Sequence, residues 1–128
     1  SGWFKVAPEH TEDHVLRLMS KPSFALFSVL RREFSRIAAR ERLPYRIVPY
    51  FISSHPGCTL QDMKSLSKNK ELRGIQLEQV QDFTPTPMTA SSVMFYTGKD
   101  LSGRPVFVER NIEGKKIQKS LFFRKNAL

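Results

Sequence analysis

The chain has 128 residues, enough for one modest domain with a single core, and its 40% hydrophobic and 26% charged residues argue against wholesale disorder. No apolar run approaches the roughly 20 residues of a membrane-spanning helix and no signal peptide opens the chain, so we expect a cytoplasmic protein with no membrane contact. A single cysteine, Cys58, excludes an internal disulfide and a metal site built only from this chain's cysteines.

The net charge of +9 is concentrated near the end of the chain. Residues 99–128 hold eight basic and three acidic side chains. Such a basic segment can attract nucleic acid or another polyanion, and it can equally be a solvated surface. Charge alone leaves both interpretations open.

The first third of the chain predicts the end of a strand followed by helices. Trp3–Val6 is a short apolar run typical of a strand end, and residues 7–10 are predicted as a loop because Pro8 disfavours helix before it. Thr11 is predicted to cap a short helix. Apolar residues at spacings of three and four then predict a longer helix that ends near Arg42; they are Phe24, Phe27, Leu30, Phe34, Ile37 and Ala38.

The middle of the chain alternates strands and helices. Residues 45–53 and 75–83 read as strands, and Pro49 predicts a bulge or an edge in the first. Thr59 with Asp62 three residues later predicts a helix start after the turn 55–58. A rigid proline loop follows at 84–87, then a hairpin within 96–110 and a short basic helix over 113–125.

This alternation favours parallel βαβ units, in which the functional loops follow the C-terminal ends of the strands. That rule selects three loops, at residues 7–10, 53–58 and 83–89. We therefore expect these loops to lie at one end of a short, mostly parallel sheet.

The same three loops carry a family resemblance. The motifs are Lys5-Val6-Ala7-Pro8-Glu9-His10, Pro49-Tyr50-Phe51-Ile52-Ser53-Ser54-His55-Pro56-Gly57-Cys58-Thr59 and Glu78-Gln79-Val80-Gln81-Asp82-Phe83-Thr84-Pro85-Thr86-Pro87-Met88-Thr89. In this order and spacing they resemble the YgiQ family of bacterial radical SAM proteins, over roughly residues 2–110.

The resemblance implies the fold class, an α/β fragment of a partial (β/α) barrel. Residues 1–95 would be the C-terminal half of a radical SAM-type barrel. Residues 96–128 would be a basic C-terminal extension made of a hairpin and a helix. Radical SAM enzymes hold a 4Fe–4S cluster on a three-cysteine loop, which would lie upstream of this chain. The upstream part of its own chain would be its partner. Alone, the chain would bind no cofactor and would be inactive.

The resemblance also implies site residues. Glu9 lies where related enzymes place a polar contact to the ribose or methionine of S-adenosylmethionine. Ile52 corresponds to a residue that packs on adenine, and Pro56 and Gly57 form the turn after it. Phe83 and Pro85 match a stretch that closes over adenine. The wider radical SAM superfamily commonly has Gly where this chain has Ser54.

The residues also support more ordinary interpretations. Glu9 could simply favour the positive end of the next helix. Gln79 and Gln81 belong to a strand with polar groups on both faces, which indicates a substrate-lining strand or an edge strand with one wet face. Cys58 before a helix start could have a lowered thiol pKa or be a turn residue.

The histidines leave further alternatives. His10 and His14 are four apart and could share a metal only if one helix carried both, with no third ligand evident. His55 could be a general acid or base, although no partner stands at a recognisable spacing. Beside the radical SAM interpretation, two functions stay open: a basic RNA-binding accessory module without a catalytic role, and a folded scaffold with no ligand.

Overall fold

The computed structural model describes residues 2–75 and 79–124. The elements in chain order are β1 (Trp3–Glu9), α1 (Asp13–Leu18), α2 (Phe24–Arg40), β2 (Arg46–Ser53), α3 (Leu60–Ser67), a 3-10 turn (Lys70–Leu72), β3 (Gln79–Asp82), α4 (Ala90–Thr97) and α5 (Ile112–Arg124). The predicted α/β class with a short parallel sheet is confirmed. In the described ranges, no helix is long and apolar enough to cross a membrane.

The described strands form one parallel sheet in the order β1-β2-β3, with β2 in the centre. Glu9 at the end of β1 pairs with Phe51, and Ser53 at the end of β2 pairs with Asp82 at the end of β3. The C-terminal ends of the three strands therefore meet at one edge of the sheet. We refer to residues 9–10, 53–58 and 83–89, which follow those ends, as the C-terminal rim.

The predicted loop at residues 7–10 is wrong for its first part, because β1 continues to Glu9. The strand does so with a register shift between Val6 and Glu9, and Val6 pairs with Pro49 of β2. Pro8 and Pro49 both lack the amide hydrogen that a regular ladder needs, which accounts for the irregularity. The bulge predicted at Pro49 thus lies on the neighbouring strand, and β2 is central instead of an edge.

Two helix starts differ in how well the sequence predicts them. The Thr59 side chain accepts from Asp62 N–H while the Asp62 carboxylate accepts from Thr59 N–H, so the capping box predicted for α3 is confirmed. Thr11 does not cap α1; Glu12 occupies the N-cap without a side-chain capping bond. The Asp13 carboxylate accepts instead from the Phe24 N–H at 2.9 Å, where it supports the start of α2.

The apolar stripe of α2 is buried only at its N-terminal end. Phe24 and Phe27 are buried, whereas Leu30 and Ile37 are each 40% exposed. The later part of the stripe is therefore apolar without being buried. The described sheet is too short to cover all of α2, so its outer half is left facing solvent.

The hairpin predicted at 96–110 is confirmed only in part. Tyr96 belongs to α4, which ends at Thr97 with Gly98 in the left-handed conformation at φ 67°. What remains of the hairpin is one isolated antiparallel bridge between Lys99 and Pro105. The basic helix predicted at 113–125 is confirmed as α5, although residue 125 lies outside the described residues. Gln76, Leu77 and Glu78 of the strand predicted at 75–83 also lie outside them.

The core lies where α3 and α5 pack together against the sheet. The rings of Phe51 on β2 and Phe122 on α5 are 5.6 Å apart, and both are essentially fully buried. Met63 and Leu66 of α3 are buried in the same cluster. Since α5 supplies core side chains, the basic segment is integral to the fold and does not merely coat it.

Candidate functional site at the C-terminal rim

Each loop of the C-terminal rim contains one non-glycine residue in the left-handed backbone conformation. These residues are Glu9, Ser54 and Met88, with φ of 68°, 62° and 66°. Among the described residues, the two others in this conformation, Ser20 and Arg42, follow the ends of α1 and α2, where it is a common helix stop. Backbone strain of this kind gathers at functional sites, so its presence in all three rim loops supports a site there.

Glu9 places a partly buried carboxylate at the end of β1. Its Oε1 lies 3.6 Å from Lys21 Nζ, and the Glu9 side chain is 22% exposed. A carboxylate in this setting retains lone pairs that can accept hydrogen bonds from ligand hydroxyls. The helix-dipole alternative is weakened because Glu12, not Glu9, occupies the N-cap of α1.

The turn after β2 is held by its own chain. Ser54 N–H donates to Gln118 Oε1 at 3.0 Å, and Gly57 N–H donates to the Phe107 carbonyl at 2.7 Å. Both amides are therefore already bonded within the protein. Pro56 is fully buried, whereas Ile52 is only half-buried and pairs with Gln81. Of this group, the Ile52 side chain is the better candidate for packing on a ligand.

The loop after β3 begins in register with the turn after β2. Phe83 N–H donates to the Ser53 carbonyl at 2.8 Å, which extends the pairing of the two strands by one bond. The half-buried Phe83 ring lies 5.1 Å from the His55 ring, edge to face, and 5.8 Å from the Phe95 ring. Pro85 is half-buried two residues further along the chain. The structure thus brings the end of β2, which carries Ile52, beside the loop that begins at Phe83.

His55 has a hydrogen-bonding partner that the sequence did not reveal. Its Nδ1 lies 2.8 Å from the Pro56 carbonyl, so Nδ1 carries the hydrogen and Nε2 accepts from the Ser91 hydroxyl at 2.7 Å. Burial lowers the pKa of His55, and the bond to the Pro56 carbonyl only partly opposes this. His55 is therefore a neutral acceptor near neutral pH. Ser91 is 36 residues away in sequence, which hid the pair.

Cys58 belongs to a buried, uncharged network. His10 Nδ1 accepts from Glu12 N–H at 3.1 Å, which leaves its Nε2–H to face Cys58 Sγ at 3.4 Å. The thiol in turn donates to Gln118 Oε1 at 3.5 Å. Burial raises the pKa of Cys58 to about 12, so the lowered thiol pKa considered from the sequence is wrong. Cys58 is an inert thiol at neutral pH.

His10 and His14 do not converge on one point. His10 is fully buried, and burial lowers its pKa to about 4. His14 Nε2 instead lies 2.9 Å from Asp62 Oδ1 on a half-exposed surface. Within residues 2–75 and 79–124, no group of three or more His, Cys, Asp or Glu side chains is arranged to hold a metal.

The polar residues of β3 have two different surroundings. Gln79 is half-buried and Gln81 is exposed, in agreement with a wet face on a strand that forms an edge among the described strands. Asp82 is bonded within the chain: its Oδ1 accepts from Ser53 Oγ at 2.8 Å, and its Oδ2 lies 3.9 Å from Lys119 Nζ. Lining of a substrate site by Gln79 and Gln81 stays a prediction.

An apolar cavity of about 200 Å³ lies away from the loops that carry Ile52 and Phe83. It opens between β1 and the start of α2, and its lining includes Val6, Pro8, Phe24, Phe27 and Leu30. Lys21, the partner of Glu9, stands at its edge. The cavity therefore belongs to the exposed side of β1.

Comparison with known proteins gives one family profile and several close relatives. Residues 78–127 match the family described as "Domain of unknown function (DUF3362)". A UPF0313 protein of Bacteroides thetaiotaomicron is 46% identical over 135 aligned positions, which take in 100% of this chain and 22% of the relative. One from Porphyromonas gingivalis is 47% identical over 96% of this chain and 20% of the relative.

A UPF0313 protein of Methanocella arvoryzae is 41% identical over 98% of this chain and 21% of the relative. The chain thus spans about a fifth of the length of the relatives that it matches. No solved structure matches it significantly.

Proposed function

We propose that the C-terminal rim forms the adenosyl-binding side of a radical SAM enzyme. The premise is that the chain belongs to the UPF0313 family of YgiQ-like proteins. Family membership confirms the resemblance to the YgiQ family, and the radical SAM chemistry is the part that we propose. In this proposal, the sheet β1-β2-β3 is the later part of a partial (β/α) barrel, and the enzyme acts on a substrate that approaches the same rim.

One observation carries the proposal: the three motifs meet at one end of one parallel sheet. The pairings of Glu9 with Phe51 and of Ser53 with Asp82 place the ends of all three strands together. Nucleotides bind outside the carboxyl ends of strands in α/β folds. The left-handed residues Glu9, Ser54 and Met88 give each loop a sharp change of direction at that point. A positive φ at Ser54 is also a conformation that favours Gly, the residue common at this position in the wider radical SAM pattern.

Different residues at the rim would contact different parts of the adenosyl group. The Glu9 carboxylate would accept hydrogen bonds from the ribose hydroxyls, with Lys21 holding the carboxylate in place. Ile52 and Phe83 would contact the two faces or edges of the adenine ring, since both side chains are half-buried and apolar. Pro56, Gly57 and Pro85 would act by shaping the two loops. Gln79 and Gln81 would line the substrate side of β3.

The iron–sulfur cluster of such an enzyme does not fit the residues of this chain. Cys58 is its single cysteine, and the thiol is buried, bonded to His10 and Gln118, and raised in pKa to about 12. Cluster iron requires several thiolates. We therefore place the cluster in another part of the enzyme.

The exposed side of β1 supports a larger sheet. Trp3 and Phe4 are 49% and 44% exposed, and the Phe4 ring stacks on Phe34 at 5.3 Å. Leu26 and Leu30 extend this apolar surface along α2. Among the described strands, β1 pairs on one side only. A parallel strand and helix from the upstream part of the enzyme would cover both the strand edge and these side chains.

Equilibrium binding of S-adenosylmethionine to the full-length protein tests the proposal. We expect Glu9→Gln to weaken binding by about tenfold, since a hydrogen bond to a charged acceptor is worth roughly 1.5 kcal/mol or more. Phe83→Ala should weaken binding to a similar extent by removing a contact with adenine. Isothermal titration calorimetry gives both dissociation constants.

Glu33→Gln is the matched control, because Glu33 is an exposed carboxylate that forms an ion pair with Arg36 on α2. Its affinity should equal that of the unmodified protein. Thermal unfolding of each variant separates a loss of binding from a loss of fold. Unchanged affinity in both folded rim variants would remove the adenosyl site from this chain.

A further inference from the structure

We propose that Tyr96, Arg110 and Lys115 form a binding surface for single-stranded nucleic acid, with a base stacked on Tyr96 and the backbone phosphates held by the two cations. This surface is hereafter the Tyr96 surface. It lies within the stretch that matches the domain of unknown function, residues 78–127. It goes beyond the proposed function, which concerns the rim.

The two cations of the Tyr96 surface are ordered by one aromatic ring. The guanidinium carbon of Arg110 lies 4.9 Å from the centroid of the Phe95 ring, and Lys115 Nζ lies 5.3 Å from the same centroid. Arg110 also donates to the Phe95 carbonyl. The Phe95 ring therefore holds these two positive charges close together, which lowers the entropic cost of fixing them on a phosphate backbone.

Charge pairing distinguishes these two cations from three of their basic neighbours. Arg104, Lys116 and Lys119 each lie within 4 Å of a carboxylate, on Asp100, Glu113 and Asp82. The nearby Glu109 carboxylate accepts from the Asn111 N–H at the start of α5, where it serves the helix. Arg110 and Lys115 face an uncharged ring instead, which leaves their positive charge available to a polyanion.

Tyr96 supplies the stacking platform that cations alone lack. Its side chain is 71% exposed, and its ring contacts the Phe95 ring edge to face at 5.3 Å. An exposed aromatic ring beside cations is the arrangement by which proteins hold single strands, because every base offers a π face and every nucleotide a phosphate. A duplex buries its base faces and would lose this contact.

A run of ring contacts joins the Tyr96 surface to the C-terminal rim. Tyr96 touches Phe95, Phe95 lies 5.8 Å from Phe83, and Phe83 meets His55 at 5.1 Å. A nucleic-acid strand bound at Tyr96 thus lies next to the loops proposed to hold the adenosyl group. Binding of the nucleic acid does not rest on the proposed function, because its affinity is measured without S-adenosylmethionine.

Fluorescence anisotropy with a labelled 12-nucleotide oligouridine tests the inference, using the full-length protein. We expect Tyr96→Ala to weaken binding by about fivefold or more, while Tyr96→Phe keeps most of the affinity. Lys115→Gln should reduce the slope of log affinity against log salt by about 0.7, the value for one lost phosphate contact on a single strand. Oligothymidine in place of oligouridine shows whether RNA or DNA is preferred, and binding of either supports the surface.

Lys64→Gln is the control for charge, since Lys64 is an exposed lysine on α3. Its salt slope and affinity should match those of the unmodified protein. Unfolding midpoints of all variants should agree, because the Tyr96 side chain is largely exposed. The inference is overturned by absence of binding, by equal affinity of Tyr96→Ala and the unmodified protein, by tighter binding of a duplex, or by an equal effect of Lys64→Gln and Lys115→Gln.

Discussion

The side-chain amide of Gln118 donates to the Cys58 carbonyl at 3.1 Å, across 60 residues of sequence. The Oε1 of the same amide accepts from the Ser54 N–H at 3.0 Å. One side chain on α5 therefore fixes both ends of the turn after β2. This explains how the left-handed Ser54 is held, and it couples the segment that matches the family profile to the C-terminal rim.

Replacing Gln118 with Leu should destabilise the fold by about 2 to 4 kcal/mol, because it leaves the buried Ser54 N–H and Cys58 carbonyl unsatisfied. Urea denaturation monitored by circular dichroism measures this change. Lys116→Gln, on the exposed side of α5, should change the free energy of unfolding by less than about 0.5 kcal/mol. Equal stability of the two variants would show that the Gln118 bonds are dispensable.

The Cys58 thiol should resist alkylation in the folded protein. Burial raises its pKa to about 12, and its sulfur is enclosed by His10 and Gln118. Iodoacetamide at pH 8 should label it orders of magnitude more slowly than in urea, since the thiolate is the nucleophile. Mass spectrometry over time reads out both rates. Complete labelling of the folded protein at the rate seen in urea would contradict the buried, neutral thiol.

Stability should fall as the pH decreases below about 6.5. Burial lowers the pKa of His10 to about 4 in the folded chain, so between 4 and 6.5 the unfolded chain binds more protons. Stability from this group is thus fully present above 6.5 and lost as the pH approaches 4. Between pH 7 and pH 5 the loss should reach about 2 kcal/mol. His55, with its pKa also lowered by burial, adds in the same direction.

His10→Asn removes this titration while it keeps an acceptor for the Glu12 N–H. Its free energy of unfolding, measured in urea at pH 5, 6 and 7, should therefore show a clearly shallower pH dependence than the unmodified chain. Identical slopes would mean that His10 is not buried as a neutral side chain.

Gly57 and Gly103 form a matched pair, with φ of 87° and 82°. A Cβ on Gly57 would lie 2.2 Å from Leu18 Cδ1, whereas nothing lies within 4 Å of one on Gly103. Both Ala variants carry backbone strain of about 1 to 2 kcal/mol, and Gly57→Ala should cost about 1 kcal/mol more. In a Leu18→Ala background, the losses of unfolding free energy caused by Gly57→Ala and by Gly103→Ala should become equal. Thermal unfolding measures all four differences, and equal costs in the unmodified background would contradict the close approach of Leu18.

The sequence predicted best those features that depend on neighbouring residues. The Thr59–Asp62 capping box and the parallel order of β2 and β3 follow from local signals and chain order. Helix α4 was missed although Thr89 caps it and Gly98 follows it, because its residues show no clear apolar stripe. The capping residues Thr89 and Gly98 are typical of a helix start and a helix end, and only the apolar pattern between them is weak.

Other features depend on contacts between distant residues. The Gln118 bonds to residues 54 and 58 and the Ser91 bond to His55 arise only when the chain folds, so no spacing rule indicates them. The exposed Leu30 and Ile37 show the reverse problem. Their spacing predicts burial, which needs a covering surface that the described sheet does not provide.

Photoaffinity labelling with 8-azido-S-adenosylmethionine tests the central claim most directly. The full-length protein is irradiated with the probe and digested, and the labelled peptides are identified by mass spectrometry. Our account predicts label within residues 50–58 or 83–89, suppressed by excess unlabelled S-adenosylmethionine and reduced in Phe83→Ala. Label that is competed by S-adenosylmethionine yet falls wholly outside these two loops would contradict the adenosyl site proposed at the C-terminal rim.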